Sequence, residues 1–446
     1  MPTPKSHDAT PPASQRWLRW IQMTAVLGMI VVLLCSMAGA SGPSTIGRAE
    51  LGSLGEQPAD EFGDAVAIDG NTVVVGAVGV QVRNGEGGAA YVFVKPANGW
   101  KDMTQIAILT PSDDAYFFGA SVAISGDTIV IGAPRTEENG VPQQGAVYVF
   151  VKPAGGWTDM TETAKLIGAH VDHKGEDRVG SSVSIDGNTI VAGVPNVIPE
   201  SPALGYGEAL VYVKPAKGWT DAFETAVLYI DPAAYPLLGL GYGYSVSVSG
   251  NTVAVGATGC CVEGQVLVGQ AFVFVEPAGG WGTTDNYNAE LTGIDVVAGD
   301  LFGISVAVDG NTVVVGSPQQ DTYGVGAAYV YVEPQGGWFS MTETAELYPL
   351  FTVQGWFGQS VAIKGNAVFI GAPYTTAGGV FGRGAAYAFV KPKGGWKTTS
   401  TYTAKLSRNS GNYLGQSVSI TGQTAVAGFA GTATTNGGAE VFWVAP

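Results

Sequence analysis

The sequence has little charge, and most of the charge that it has is negative. Only 13% of the 446 residues are charged, about half of the usual quarter for a soluble protein. Against 37 acidic residues stand 21 lysines and arginines, which gives a net charge of −16. A protein that binds nucleic acid by neutralising phosphates needs a basic surface. The charge balance therefore excludes a nucleic-acid partner.

Cysteine and histidine are also scarce, with three residues of each. Three cysteines cannot form a dense disulfide scaffold. One short segment holds His170, Asp172 and His173, followed by Glu176 and Asp177, and these side chains carry the nitrogen and oxygen atoms that bind a metal cation. The alternative is a solvated polar loop, and it is the interpretation adopted here. The sequence thus predicts no metal site and no cofactor.

Helical periodicity is missing after residue 40, whereas glycine is abundant at 66 residues. No segment repeats its apolar residues with the spacing of an amphipathic helix. The glycines have no collagen period, and a hydrophobic content of 46% argues against disorder. An all-β globular protein is predicted.

The N-terminus contains the longest apolar run, Met23–Met37, after Arg16 and Arg19 and before Ala-Gly-Ala at 38–40. This order of features is typical of a secretory signal peptide, here over residues 1–40. The alternative is an uncleaved membrane anchor, because the apolar stretch is long enough to span a bilayer. In both cases the rest of the chain is exported, so we expect a secreted, periplasmic or cell-surface protein.

Seven repeats fill the predicted mature domain, residues 41–446. Each begins with a Phe-Gly-like pair and reaches a Gly-Ala-Pro-like triplet after the second strand; the repeats start near residues 62, 118, 179, 242, 302, 357 and 414. Their first glycines are 55 to 63 residues apart. This period is too long for a helical solenoid and suits a four-stranded blade. The sequence therefore predicts a seven-bladed β-propeller.

Each repeat contains four strand patterns. Ser121–Ile124 is typical of the first, the apolar run Val73–Val75 of the second, Tyr148–Val151 of the third and the Ala-x-Leu sequence Ala164–Leu166 of the fourth. A short x-Gly-Asn turn, which is strong hairpin chemistry, separates the first two.

The ends of the chain predict how the ring closes. One additional Ala-x-Leu sequence, Ala49-Glu50-Leu51, precedes the first repeat, while the last repeat ends at a third strand. We therefore expect residues 46–54 to pair with the last blade near Val441–Trp443. Such closure protects the sheet edges.

The Phe-Gly and Gly-Ala-Pro spacing resembles the FG-GAP repeat of the seven-bladed propeller of integrin α chains. The resemblance implies the same fold and a role in adhesion, in glycan binding or in catalysis. Several integrin-type repeats carry a calcium loop of the D-x-D-x-D-G-x-x-D type. Here that loop is reduced to turns such as Asp69-Gly70-Asn71 and Ser249-Gly250-Asn251, which have too few oxygens for calcium. The family's metal sites are therefore not expected.

Strand connectivity divides the loops into two rims. The constant rim holds the near-invariant first-to-second and third-to-fourth turns. The variable rim holds the second-to-third and fourth-to-first loops, which differ in every repeat; examples are 135–144, 170–178, 196–207, 260–269 and 321–326. Because binding residues tend to lie on loops held by a rigid scaffold, we expect any partner on the variable rim.

Residues that recur in every blade are predicted to be structural. They are the serines two positions after the Phe-Gly glycine, at 121, 182, 245, 305, 360 and 417, and the tryptophans after the third strand, at 100, 157, 219, 281, 338 and 396. For the tryptophans, stacking on a sugar or quinone is the alternative. The rim carboxylates, including Asp113, Asp114, Glu263 and Asp300, are expected to supply solubility.

Two adjacent cysteines, Cys260 and Cys261, lie in a variable-rim loop. Export would place them in an oxidising compartment. Neighbouring residues bridge only as a strained ring, because their Cα atoms are only about 3.8 Å apart. We predict this vicinal disulfide, with two free thiols as the alternative.

The sequence predicts a binding or adhesion module that engages a protein or glycan through the variable rim. No Ser-His-Asp, paired-acid or nucleotide motif is recognisable, so no catalytic residue is predicted and the protein is not expected to be an enzyme. The alternatives are an extracellular propeller enzyme, either a lyase or hydrolase or a quinone-dependent one, and a purely structural envelope protein. The oligomeric state is left open.

Overall fold

A computed structural model describes residues 46–54, 57–82, 85–138, 140–169, 177–195, 207–231, 241–258, 268–320, 324–350, 354–408, 413–431 and 435–444. Within them, seven antiparallel sheets of four main strands form a ring. One short 3-10 helix spans Pro58–Asp60. Among the described residues, no helix is long and apolar enough to cross a membrane. The predicted all-β, seven-bladed fold is confirmed.

The four strands of each blade run from the central channel outward in chain order, except in blade 7, whose outermost strand comes from the N-terminus. The blades consist of Val66–Asp69, Thr72–Ala77, Ala89–Val94 and Ala107–Leu109 (blade 1); Ser121–Ser125, Thr128–Ala133, Ala146–Val151 and Ala164–Ile167 (blade 2); Ser182–Asp186, Thr189–Val194, Glu208–Val213 and Ala226–Leu228 (blade 3); Tyr242–Ser249, Thr252–Ala257, Gln270–Val275 and Ala289–Thr292 (blade 4); Ser305–Asp309, Thr312–Ser317, Ala327–Val332 and Ala345–Leu347 (blade 5); Ser360–Lys364, Ala367–Ala372, Ala385–Val390 and Ala404–Ser407 (blade 6); and Val418–Thr421, Thr424–Phe429, Gly438–Val444 and Ile46–Gly52 (blade 7). Shorter strands are Gln81–Val82, Gly85–Glu86, Met103–Thr104, Ala222–Phe223 and Met341–Thr342.

The N-terminal strand closes the ring as predicted. Ile46–Gly52 pairs antiparallel with Gly438–Val444, and its inward-facing Leu51 is fully buried. Two hydrogen bonds of 2.7 and 2.6 Å join the Arg48 guanidinium to the buried carboxylate of Glu440. Both bonds come from the same guanidinium nitrogen, Nη2, and hydrogen bonds between charged groups are stronger than those between neutral ones. The closing strand is thus held by both its backbone and an ion pair.

Each repeat begins with a β-turn that explains the Phe-Gly pair. In blade 1 the N–H of Asp64 donates to the carbonyl of Glu61 at 3.3 Å, and Gly63 has a φ of 96°. A positive φ at the third position is the mark of a type II turn, where glycine is favoured. The ring of Phe62 packs edge-on against Tyr91, with centroids 5.2 Å apart. We call this four-residue unit the FG turn.

The glycine of each Gly-Ala-Pro triplet packs against the FG turn of the next blade. A Cβ added to Gly316 would lie 2.0 Å from the carbonyl oxygen of Gly358. The N–H of Gly303 donates to the carbonyl of this same Gly316 at 3.0 Å. Corresponding contacts occur at all seven blade boundaries. Both motif glycines therefore recur because backbones approach too closely there for any side chain.

The recurring serines and tryptophans have the predicted structural roles. Ser305 Oγ donates to the carbonyl of Gly358 in the next blade at 2.9 Å, and the same bond is made by Ser121, Ser182, Ser245 and Ser360. The sixth serine, Ser417, accepts from the N–H of Val66 at 3.0 Å. The six tryptophans are only 5 to 8% exposed and pack in the cores between blades.

A further set of contacts binds the outer edges of the blades together. Side chains shortly after these tryptophans accept hydrogen bonds from the fourth strand of the preceding blade. Asp102 accepts from the N–H of Glu50 at 2.9 Å, and Asp159 accepts from that of Ile108 at 2.8 Å. These carboxylates are structural, a role that the sequence analysis did not identify.

Candidate functional site

The seven first strands surround a central channel of about 340 Å³. Its wall consists mainly of valine, alanine, isoleucine and serine residues. At the constant rim the channel ends in a ring of one residue per blade: Asp69, Ser125, Asp186, Ser249, Asp309, Lys364 and Thr421.

The three carboxylates of this ring hold neighbouring blades together. Asp69 accepts a hydrogen bond of 2.7 Å from the N–H of Gly126 in the next turn. Asp186 and Asp309 accept equivalent bonds at 2.6 and 2.7 Å. Lys364 cannot accept such a bond and forms an ion pair of 2.8 Å with Asp309 instead.

The turns of the constant rim are as short as predicted. Only Gly70 and Asn71 separate the paired residues Asp69 and Thr72, and the φ of Gly70 is 55°. In the described part of the chain, no three His, Cys, Asp or Glu side chains are grouped as a metal site. That the protein binds no metal nevertheless stays a prediction.

The variable rim carries a second ring, formed by the first residue of each FG turn. All seven residues have positive φ angles: Glu61, Phe117, Arg178, Gly241, Leu301, Trp356 and Tyr413. The six that are not glycine have φ values of 52 to 63°, which is the left-handed region that L-residues usually avoid. We call these positions the left-handed ring. The same backbone conformation is thus repeated in six blades, with a different side chain in each.

Hydrogen bonds on both sides fix this backbone conformation. The carbonyl of Trp356 accepts from the N–H of Gln359 at 3.1 Å, and the next N–H in the chain, that of Phe357, donates to Val325 at 3.1 Å. The carbonyl just before the turn, that of Gly355, accepts from the N–H of Tyr374 at 3.2 Å. Strained backbone persists where its surroundings determine it in this way, and it occurs preferentially at functional sites.

The residue after the Gly-Ala-Pro triplet lies beside the left-handed ring. In blade 2 the Arg135 guanidinium lies 3.9 Å from the centroid of the Phe117 ring. In blade 6 the rings of Trp356 and Tyr374 have centroids 4.5 Å apart. Each of these blades therefore presents a pair of side chains in contact at the variable rim.

Blades 6 and 7 together present an aromatic cluster, formed by Trp356, Tyr374, Phe381 and Tyr413. Tyr374 lies at its centre, with ring centroids 4.5 Å from Trp356, 5.2 Å from Tyr413 and 6.3 Å from Phe381. Phe381 is 57% exposed, and the other three side chains are half-buried. Burial and the neighbouring Tyr413 raise the pKa of Tyr374, so its hydroxyl is protonated and available as a donor at neutral pH.

The hairpin beside the cluster is tight. Ala377 and Val380 exchange two backbone hydrogen bonds of 3.1 Å, and the intervening Gly378 and Gly379 have φ values of 56 and 80°. Two positive φ angles in a two-residue loop are typical of a type I′ turn. The hairpin thereby fixes the position of Phe381, which follows it directly.

A half-buried carboxylate, Asp64, lies at the end of the FG turn of blade 1. Burial, together with the nearby Glu61, raises its pKa to about 6. Corresponding positions in other blades hold uncharged residues such as Ala120, Ser181 and Gln359. Among the described residues of this rim, Asp64 is thus a group whose pKa is raised towards neutrality.

Several residues singled out from the sequence lie outside the described residues. They are His170, Asp172, His173 and Glu176 of the polar segment, Cys260 and Cys261, and Glu263. Asp177, the last member of the polar segment, is described and is fully buried. The predictions for these side chains stay predictions.

The expectation that rim carboxylates mainly supply solubility is wrong for two of them. Asp113 accepts hydrogen bonds from the Tyr148 hydroxyl at 2.8 Å and from Lys165 at 2.5 Å. Asp300 is only 5% exposed and accepts from the N–H of Val297 at 2.8 Å. Both carboxylates therefore organise loops, whereas Asp114 is exposed as expected.

Comparison with known proteins agrees with the observed architecture. Four segments match the FG-GAP repeat family, at residues 54–93, 103–150, 286–331 and 353–389. No curated protein matches the chain. An FG-GAP propeller suggests a binding or adhesion-type module. The chain thus contains FG-GAP repeats in four places, and its ring of seven blades is consistent with the FG-GAP propeller of integrin α chains.

Proposed function

We propose that the protein is an exported binding module that engages a protein or glycan partner through its variable rim. One observation carries this proposal: the left-handed ring repeats one backbone conformation in six blades while its side chain differs in each of them. A rigid scaffold with variable side chains is the arrangement that recognition surfaces use.

The use of the channel carboxylates favours binding over catalysis. A catalytic acid or base must have its proton-accepting oxygen directed at a substrate. Asp69, Asp186 and Asp309 instead direct an oxygen at a backbone N–H of the neighbouring blade, at 2.6 to 2.7 Å. We therefore propose that the protein is not an enzyme.

The proposal places the module outside the cytoplasm. The apolar run at Met23–Met37 with its preceding arginines supports export. The partner would then be encountered in the periplasm, at the cell surface or in the medium.

The test uses the full chain, exported from its own host, as bait against surface proteins and against an array of glycans. Leu301→Gly and Trp356→Gly each remove one side chain of the left-handed ring, and glycine adopts the same φ without strain. Phe339→Ala is the control, because Phe339 is 55% exposed but follows the third strand at the constant rim.

We expect the chain to capture a partner, and we expect the capture to be reduced by a ring variant and unchanged by the control. Capture that is equal in all variants would refute recognition through this rim. If the folded chain captured neither protein nor glycan, the purely structural alternative would replace the proposal.

A further inference from the structure

We propose that the aromatic cluster of blades 6 and 7 is a subsite for one or two rings of a neutral glycan. This inference rests on the proposed function and specifies its ligand class. It depends on the chemistry, size, charge and rigidity of the cluster.

The chemistry of the cluster matches that of a pyranose. One face of such a sugar presents C–H groups, which pack on an aromatic ring, while its edge presents hydroxyls. Trp356, Tyr374, Phe381 and Tyr413 offer ring surface that is partly open to solvent. The two tyrosines add hydroxyls to the same patch, so apolar and hydrogen-bonding groups alternate over a short distance.

An amide lies next to the tryptophan. Gln354 Cγ and Trp356 Nε1 lie 3.4 and 3.7 Å from the point that a Cβ on Gly324 would occupy. The Gln354 side chain is exposed, and its amide can both donate and accept hydrogen bonds. The edge of the cluster can thus form hydrogen bonds with sugar hydroxyls that donate and with sugar hydroxyls that accept.

The size of the cluster favours a sugar over a protein partner. Four rings in direct contact cover the footprint of a small ring system, whereas a stable protein interface involves about 20–30 residues on each side.

The net charge of the chain favours a neutral glycan over an anionic one. None of the four cluster side chains carries a charge at neutral pH, and the chain as a whole has a net charge of −16. A sulfated or sialylated glycan would be repelled by this field. A neutral sugar meets no such barrier.

The backbone that carries the cluster is held in place before any ligand binds. Trp356 and Tyr413 belong to the left-handed ring, with φ values of 53 and 62°. Phe381 follows the tight hairpin, and Tyr374 is in contact with all three other rings. Little conformational entropy remains to be lost on binding, which is a requirement for affinity on a small contact area.

The experiment compares the full chain with Trp356→Gly and Phe381→Ala. The probes are an array of neutral oligosaccharides of glucose, galactose, mannose and N-acetylglucosamine, with sulfated and sialylated glycans as the anionic set. Calorimetry then measures the affinity of the neutral oligosaccharide that binds most strongly. Phe339→Ala is the matched control, because Phe339 is 55% exposed and Phe381 57%. Unchanged unfolding temperatures show that the variants are folded.

We expect neutral glycans to bind, both cluster variants to weaken binding about tenfold, and the control to bind as the unchanged chain does. The inference is overturned if only anionic glycans bind, if neutral glycans bind equally to both cluster variants, or if no glycan binds. In the last case, a protein partner whose capture is lost in Leu301→Gly would leave the proposed function standing. If no ring variant changed the capture of any partner, both this inference and the proposed function would be refuted.

Discussion

Gly316→Ala tests the contact on which the ring of blades depends. The added Cβ would lie 2.0 Å from the carbonyl oxygen of Gly358 and 2.3 Å from Ser305 Oγ. Contacts of real Cβ atoms are essentially never shorter than 3.0 Å. Blades 5 and 6 would therefore have to separate by about 1 Å along this boundary, because the opposing atom is backbone and cannot rotate away.

The cost follows from the groups involved. Overpacking of a tight contact costs about 1–3 kcal/mol. Separation of the blades also weakens the hydrogen bond from Ser305 Oγ to Gly358, now 2.9 Å long, and such a bond contributes about 0.5–1.5 kcal/mol. We expect Gly316→Ala to lower the free energy of unfolding by about 2–4 kcal/mol.

The assay is urea unfolding followed by tryptophan fluorescence, with Gly336→Ala as the control in the same blade. A Cβ on Gly336 would meet nothing within 4 Å, and its φ is not positive. Other blades already carry Asn98 and Lys217 at that position. The control should remain within about 0.5 kcal/mol of the unchanged chain. If Gly316→Ala were equally stable, the explanation of the motif glycines would be refuted.

Four further predictions concern charge, metal and thiols. Because the pKa of Asp64 is raised to about 6, the folded protein loses stability as pH rises through that value. Asp64→Asn should therefore raise the unfolding temperature more at about pH 8 than at about pH 4, and an equal gain at both would contradict the assignment. Lys364→Ser should raise the urea midpoint slightly by supplying an acceptor to the N–H of Gly422 and so completing the constant-rim ring; a lowered midpoint would show that the ion pair of Lys364 contributes more. Calcium at millimolar concentration should leave the unfolding temperature unchanged, whereas a rise of several degrees would reveal a metal site. Mass spectrometry of the unreduced protein should find the peptide of Cys260 and Cys261 two hydrogens lighter than the dithiol, and complete alkylation without reductant would exclude the bridge.

The fold could be predicted because its constraints act at fixed places in every repeat. The FG-turn glycine and the triplet glycine are required by close backbone contacts, and those contacts recur at each blade boundary. Ring closure could be predicted for a similar reason. Ala49 and Leu51 point to the same face, as the alanine and leucine of the other fourth strands do. This apolar face would be exposed to solvent unless the segment paired with the last blade.

The candidate site could be predicted only as a region. The variability of the loops indicated the rim that carries the candidate site, but the positive φ of Trp356 follows from hydrogen bonds to residues distant in the sequence, such as Val325. The convergence of Tyr374, Phe381 and Tyr413 likewise depends on how blade 6 meets blade 7. A comparison of the residues that directly precede each Phe-Gly pair would have revealed the left-handed ring.

The carboxylates show where inference from composition fails. An acidic residue on a polar loop is usually solvated, and this holds for Asp114. Asp113, its neighbour in the sequence, instead accepts hydrogen bonds from Tyr148 and Lys165. The difference lies in contacts across the blade, which no local pattern encodes.

The left-handed ring itself carries the strongest argument for function. If its positions served only the backbone, glycine would be the favoured residue, because a side chain with positive φ costs about 1 kcal/mol. Blade 4 has that residue, Gly241, with a φ of 99°. The other six blades keep a side chain at the strained position, and those at Phe117, Trp356 and Tyr413 are large aromatics. The backbone does not need these side chains, so their value lies in what they contact at the variable rim.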